Sequence, residues 1–288
     1  MTSFTLNFGR FSLELGSRAC IMGILNTTPD SFSDGGRFNT LDAALAHGRD
    51  LVAAGAGILD IGGESTRPFS QPVPEQEELD RTIPVIEALA ARVEVPISID
   101  TVKARVAREA LKAGASIIND VSAFEMDPAM AGVAAESGAP VILMHMKGTP
   151  ETMQTNPRYD DLMGEITDYL LARAALALKM GISKDRIILD PGIGFGKTLD
   201  HNLVLIHKLS QLLDLGYPVL MGPSRKSFIQ TLLTDPPEKK VSPGDVRTET
   251  GTLAAVGACL MNGAHIVRVH DVATVSAFTR VIDAIRNA

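Results

Sequence analysis

Eight short runs in this chain are apolar almost throughout rather than alternating: Cys20–Leu25, Ile58–Ile61, Pro96–Ile99, Ser116–Ile118, Pro140–Met144, Arg186–Leu189, Pro218–Met221 and His265–Val269. A strand with one wet face shows a period of two. A run without that alternation suits a strand covered on both sides, as in a parallel sheet. The segments between the runs carry helical spacing: Leu79, Ile83, Ile86, Leu89 and Val93 follow a three-four rhythm, as do Leu205, Leu209 and Leu212. Pro84 interrupts the first of these, so that helix is expected to kink or to start late. Gly55, Gly114, Gly138, Gly181, Gly216 and Gly263 each fall between a helical segment and the next strand, where a C-terminal cap belongs. Strand–helix units of roughly 30–35 residues, repeated without a compositional break, predict an α/β fold, a (β/α)8 TIM barrel. An open doubly wound sheet is the structural alternative, but eight strands with no linker are hard to divide into two domains. Residues Phe4–Leu15 read as a short N-terminal β-hairpin with its turn near Asn7–Gly9, closing the bottom of the barrel.

Composition narrows the function. With 27 basic and 34 acidic residues, the formal charge of −7 argues against a general nucleic-acid binder. Two cysteines, Cys20 and Cys259, are too few for a disulfide framework or a cysteine-built zinc site. No apolar run approaches the ~18 residues of a transmembrane helix, and the first residues lack a signal-peptide core. The expectation is a cytoplasmic protein with no membrane partner.

In a barrel, chemistry gathers where the strands end. Those ends carry Asn26, Asp60, Asp100, Asn119, His145 and Asp190, then Ser224 and Lys226 past the seventh run, then Arg268 and His270 on the eighth. A single such residue is ordinary turn chemistry; a whole ring of them is not. Asp100, Asn119 and Asp190 form an acceptor arc that suits a ligand edge rich in N–H donors, such as a guanidine-like heterocycle bound by two parallel bonds. Arg67, Lys226, Arg268 and His270 form a cationic arc suited to phosphate or carboxylate. Long loops at Asn26–Asn39 and Gly62–Glu75 fall on the same face, and a third at Thr234–Arg247 reads as plain surface. Gly196-Lys197-Thr198 ends like a P-loop, but proline stands at 191 where its first glycine belongs, so no nucleotide cradle is expected. Gly192–Gly196 reads instead as a loop whose backbone approaches a flat ligand. His145 reads as a structural hydrogen-bonding residue.

The segments MGILNTTPDSFSDGG, DIGGESTRP, SIDT, INDVSA, LMHM, ILDPGIGFGK, SRKS and RVHDV strongly resemble the dihydropteroate synthase family of folate biosynthesis, over about Ile21 to Val272. The resemblance implies one pterin-binding TIM-barrel domain over residues 1–288, with residues 1–18 as its hairpin. It implies the joining of (7,8-dihydropterin-6-yl)methyl diphosphate to 4-aminobenzoate with release of diphosphate, Mg2+ as cofactor, and a homodimer. Carried over by position, Asp100, Asn119, Asp190 and Lys226 resemble the pterin pocket, with Met144, Phe195 and Gly222 as its walls. Asn26 resembles the Mg2+ ligand, and Arg268 and His270 the diphosphate grip, with Thr66 near that substrate. Phe32, Thr66, Arg67, Pro68 and Ser224 resemble the aminobenzoate site, and Asp34 a loop carboxylate near the reacting centre. Phe69, Thr27, Pro223 and Gln230 depart from the commonest family pattern, and Phe69 puts the closed shape of the second loop in question. A loose, dissociative substitution follows as the expected mechanism, with Asp100, Lys226, Arg268, His270 and Asp34 nearest the chemistry. A methyl-transferring pterin-binding module and a non-catalytic pterin-binding paralogue are the competing readings.

Overall fold

A computed structural model describes residues 2–27, 37–65, 70–235 and 240–288. The chain opens with an antiparallel hairpin, β1 (Phe4–Phe8) and β2 (Phe11–Leu15), in register from Phe4↔Leu15 to Phe8↔Phe11. Its turn is Gly9–Arg10, a little later than the sequence suggested, because Phe8 stays inside the ladder and Gly9 takes the positive φ.

All eight apolar runs form strands of one parallel sheet: β3 (Cys20–Asn26), β4 (Ile58–Gly62), β5 (Ile97–Asp100), β6 (Ile117–Asp120), β7 (Val141–Met144), β8 (Ile187–Asp190), β9 (Leu220–Met221) and β10 (Ile266–Val269). Their order is β8-β7-β6-β5-β4-β3-β10-β9, and a parallel bridge between Leu189 and Val219 joins the two ends. The sheet is therefore a closed (β/α)8 barrel, and the open-sheet alternative falls. Outside it run α1 (Arg37–Ala53), α2 (Glu75–Ala90), α3 (Ala104–Ala113), α4 (Met130–Ser137), α5 (Leu162–Lys179), α6 (Leu199–His207), α7 (Ser210–Leu213), α8 (Ser227–Leu232), α9 (Val246–Met261) and α10 (Val272–Arg286). Helix α2 begins at Glu75 and runs through Pro84, so it does not start late. The ring removes one helical donor, but Leu79, Val85, Ile86 and Leu89 are buried against the barrel and hold the helix in place. Gly114 and Gly138 cap α3 and α4 in the left-handed conformation, as the glycine spacing predicts.

The pleat divides each strand into two faces although both are apolar. Ile21, Leu59, Ile99, Ile118, Leu143, Leu189 and Val267 join the core between sheet and helices. Met22, Ile58, Ile117, Ile142, Ile188, Leu220 and Ile266 form a second cluster inside the barrel. That inner cluster also takes in Leu6, Phe8 and Leu15, so the hairpin seals the end where the strands begin. Two positions further along six of these seven inward rows stand Asp60, Asn119, Met144, Asp190, Gly222 and Arg268, while the row of Met22 continues to Ile24. The apolar floor and the polar ring are successive layers of one pleat.

Candidate active site

The centre of the ring is Asp60, which is wholly buried. Its Oδ2 accepts from Arg268 Nε at 2.6 Å and from Asn119 Nδ2 at 3.1 Å. Arg268 Nη2 donates to Asp100 Oδ2 at 2.7 Å. One guanidinium thus bridges two carboxylates on neighbouring strands, held by the β5–β6 register that sets Asp100 opposite Asn119. The second oxygens, Asp60 Oδ1 and Asp100 Oδ1, are buried without a hydrogen-bond partner among the described residues. Burial pushes the Asp100 carboxyl up to about 7; Arg268 opposes this, Asp60 and Glu78 reinforce it, and Lys226 opposes it more weakly. Arg268, expected in the cationic arc, thus meets the acceptor arc directly in this structure. Its Nε and Nη2 pair with Asp60 on β4 and Asp100 on β5, which lie two and three strands from β10 in the sheet.

Across the mouth, Asp190 Oδ1 accepts from Gly192 N at 2.7 Å. Burial raises this carboxyl to about 6 against the pull of the Gly192 N–H, Lys226, Lys197 and Arg268. Gly192 sits at φ 73°, and a Cβ there would lie 2.0 Å from the His145 carbonyl oxygen, so only glycine fits. The loop then turns the Phe195 ring under Lys226 Nζ, 3.9 Å from the ring centroid. Phe195 packs with Met144, Val121 and Met153 into a small apolar wall. Asp190 and Lys226 thus belong to one rim, with an ammonium, an aromatic face and a carboxylate in succession.

Lys226 owes its place to a strained turn. Arg225 has φ 57°, a left-handed conformation unfavourable for a side chain with a Cβ. Three groups hold it there. Its N–H donates to Thr252 Oγ1 at 3.1 Å, its Nε to Glu249 Oε1 at 2.6 Å, and its carbonyl accepts from Gln230 Nε2 at 2.9 Å. Gln230, a departure from the family pattern, therefore acts as a strut for the turn. On the other side of Arg225, Ser224 Oγ lies 2.9 Å from His270 Nδ1 and accepts from the His270 N–H at 3.3 Å.

Asn26 ends β3 on the same rim, half-buried and paired in register with Gly62. Phe32, Asp34, Thr66, Arg67, Pro68 and Phe69 lie outside the described residues. The root of the second loop is described. Lys103 Nζ reaches both Glu64 and the buried Glu78, and Arg81 Nη1 donates to the Gly63 carbonyl at 2.8 Å. His145 has the structural role expected of it, with Nδ1 2.9 Å from Lys197 Nζ. The sequence does not set Asp60 apart from the other polar strand ends, and it marks Lys197 only within an incomplete P-loop pattern. The inward parity Asp60 shares with Ile58 was the signal that could have found it. Nothing local marks a lysine as buried. Among the described residues no three His, Cys, Asp or Glu side chains converge as a metal site, and no helix is long and apolar enough to cross a membrane.

A family model described as pterin binding enzyme matches residues 22–270. A dihydropteroate synthase of Synechocystis is 48% identical over 281 residues, covering 97% of this chain and 94% of its relative. The chain belongs to the dihydropteroate synthase family. Among solved structures, the dihydropteroate synthase of Yersinia pestis, in complex with a sulfonamide drug, superposes with a TM-score of 0.91 at 45% identity, covering 99% of this chain and 100% of that one. The dihydropteroate synthase of Xanthomonas albilineans, with 4-aminobenzoic acid, gives 0.89 at 42% identity over the whole of both chains. These dihydropteroate synthases match from end to end, which favours the synthase over the methyl-transferring alternative.

Proposed function

We propose that this ring binds the dihydropterin diphosphate at its carboxylates and joins the pterin methylene to 4-aminobenzoate. The observation that carries the reading is the pair of buried carboxylates, Asp60 and Asp100, each with one oxygen bonded and one bare, at the same end of the barrel as Asp190. Bare buried acceptors favour a ligand that brings N–H donors, and a flat pterin edge offers several. Asp190 and Asn119 are the further polar contacts, while Met144, Phe195 and Gly222 form the apolar walls. Lys226 supplies a donor over the ring face.

The difficult step is departure of diphosphate from the methylene carbon, since a neutral arylamine needs no strong base to attack. The C–O bond breaks, positive charge spreads into the electron-rich pterin, the arylamine nitrogen bonds to carbon, and that nitrogen then loses its proton. Asp100 and Asp190 offset the growing positive charge from fixed positions, which is where preorganised charge is most effective. The Ser224–His270 pair stands at the rim toward which the diphosphate would point, and Ser224 is also the residue proposed to meet the aminobenzoate. Arg268 holds the carboxylates apart from that task, so its part in the grip on diphosphate is indirect. The roles of Phe32, Asp34, Thr66, Arg67 and Pro68 rest on the family resemblance alone.

Mg2+ fits the residues present. Asn26 offers a hard amide oxygen at the rim, and a single protein donor is what a cation shared with a diphosphate and water requires. Asn26 would hold the ion, whose chemistry there would be to offset diphosphate charge. A homodimer is also proposed, supported by exposed apolar side chains on α9 and α10, Met261, Val281 and Ile285. A reducing, cytoplasmic setting agrees with two free buried cysteines. Diphosphate release with and without 4-aminobenzoate tests the central reading. Release that requires the arylamine is expected; none, or release at the same rate without it, overturns the reading.

A further inference from the structure

The motif Gly196-Lys197-Thr198 has no part in the chemistry above. Lys197 is only 2% exposed. Its Nζ donates to the Phe195 carbonyl at 2.9 Å and the His145 carbonyl at 3.3 Å, and lies 2.9 Å from His145 Nδ1. Three acceptors meet the three N–H groups of an ammonium, and none is a carboxylate. No N–H is left over for a phosphate. Burial drives the lysine pKa well down, and the charge that opposes this is Asp190. Burial first, then Lys197, holds the His145 pKa down at about 3, so the ring stays neutral and can offer Nδ1 to the lysine as an acceptor.

The neighbouring carbonyls of the same loop are tied as firmly. Gln154 Nε2 donates to the Gly194 carbonyl at 2.6 Å, and Tyr159 OH donates to the Gly196 carbonyl at 2.8 Å. Gly194 N–H donates to Asn202 Oδ1 at 2.7 Å. Three successive carbonyls, those of Gly194, Phe195 and Gly196, are each bound by a different side chain. A three-glycine loop left to itself has wide conformational freedom, yet this one carries the ring on which Lys226 rests. A Cβ at Gly194 would lie 2.9 Å from Lys226 Cδ, so a small shift of the backbone here would move the ammonium as well.

Resting on the pterin-pocket reading above, we propose that Lys197, assisted by Gln154 and Tyr159, is a positioning residue. It clamps the carbonyls of residues 194–196 so that the Phe195 ring and the Lys226 ammonium stand at the spacing a flat pterin requires, without touching substrate. The clamp acts on one substrate only, because the contacts it fixes all lie on the pterin wall.

The test uses the full chain as wild type, Lys197→Met, Gln154→Leu and Tyr159→Phe. KM for the dihydropterin diphosphate and for 4-aminobenzoate is measured with the other substrate saturating. Kd for bare 6-hydroxymethylpterin and the Tm accompany each. Lys197→Met should raise the pterin KM and Kd by about 10- to 100-fold and leave the aminobenzoate KM within about twofold, the scale of a lost charged hydrogen bond. Gln154→Leu and Tyr159→Phe should shift the pterin values the same way by about three- to tenfold. Equal rises for both substrates, or pterin values that stay at wild type, overturn the inference. If Lys197→Met yields no folded protein, the other two variants decide it on the same criterion. A wild-type protein that binds no pterin overturns the pocket reading and the clamp with it. Tight pterin binding by wild type and all variants overturns the clamp alone.

Discussion

Lowering the pH should weaken pterin binding, and the size of the effect follows from Asp190. Burial raises its carboxyl from 3.8 to about 6 in the folded protein. The sign is that of an acid with a raised folded-state pKa: any relative stability it confers is present below 3.8 and is lost as pH rises through about 6. The free protein above that range therefore holds a buried carboxylate at a cost of about 3 kcal/mol, since each tenfold change in the proton equilibrium is worth ~1.4 kcal/mol. A ligand that donates N–H groups to the ionised form recovers part of this, and must first expel a proton at lower pH. At about pH 5 only about one molecule in ten has Asp190 ionised, so affinity for bare 6-hydroxymethylpterin should fall about tenfold from its plateau near pH 8, or ~1.4 kcal/mol. Asp100, at about 7, steepens the fall if it too accepts from the ring. Titration calorimetry in buffers of differing ionisation enthalpy reads both the affinity and the proton. About one proton should leave on binding near pH 5 and almost none near pH 8. Asp190→Asn should flatten the profile and weaken binding near pH 8 by about 1–3 kcal/mol. Constant wild-type affinity over this range, with no proton released, would refute the reasoning.

Asp60→Asn keeps the shape but removes the charge that meets Arg268 Nε, and should cost about 1.5–3 kcal/mol of stability in urea unfolding near neutral pH. An unchanged midpoint would mean that Asp100 alone satisfies the guanidinium. Gln230→Ala takes the strut from the Arg225 carbonyl. It should lower stability by about 1 kcal/mol and weaken pterin binding several-fold, as the strained turn relaxes and Lys226 drifts; wild-type binding would disconnect the turn from the pocket. Cys20 and Cys259 are buried, with both thiols pushed up to about 12 by burial. A thiol reagent should leave turnover intact and label the chain only in denaturant, and inactivation without unfolding would contradict this.

The barrel was legible because each strand announces itself as a short run buried on both faces, and the glycine caps marked where helices stop. Which residues share a layer was less so. In Ile58–Ile61 the aspartate looks like an interruption, and only the closed barrel makes it the inward neighbour of Arg268, a residue 208 positions away. Arg268 reads from its charge as an anion ligand; its partners in this structure are carboxylates, since pairing depends on the order in which strands lie in the sheet. Lys197 offers no local sign of burial. Its acceptors come from the end of β7 and from its own loop, and the aromatic cover over His145 comes from Tyr159 and Tyr169. Gln230 stood out only as unusual, and its use became visible once Arg225 was found in the left-handed region.

The hairpin under the barrel has a consequence for traffic. With Leu6, Phe8 and Leu15 stopping the lower end over a filled interior, a guest reaches the strand ends from the opposite rim. Two guests that meet on those strand ends would share that side for entry and exit. Any order in loading and discharge would then come from that shared side, with no signal passing between sites.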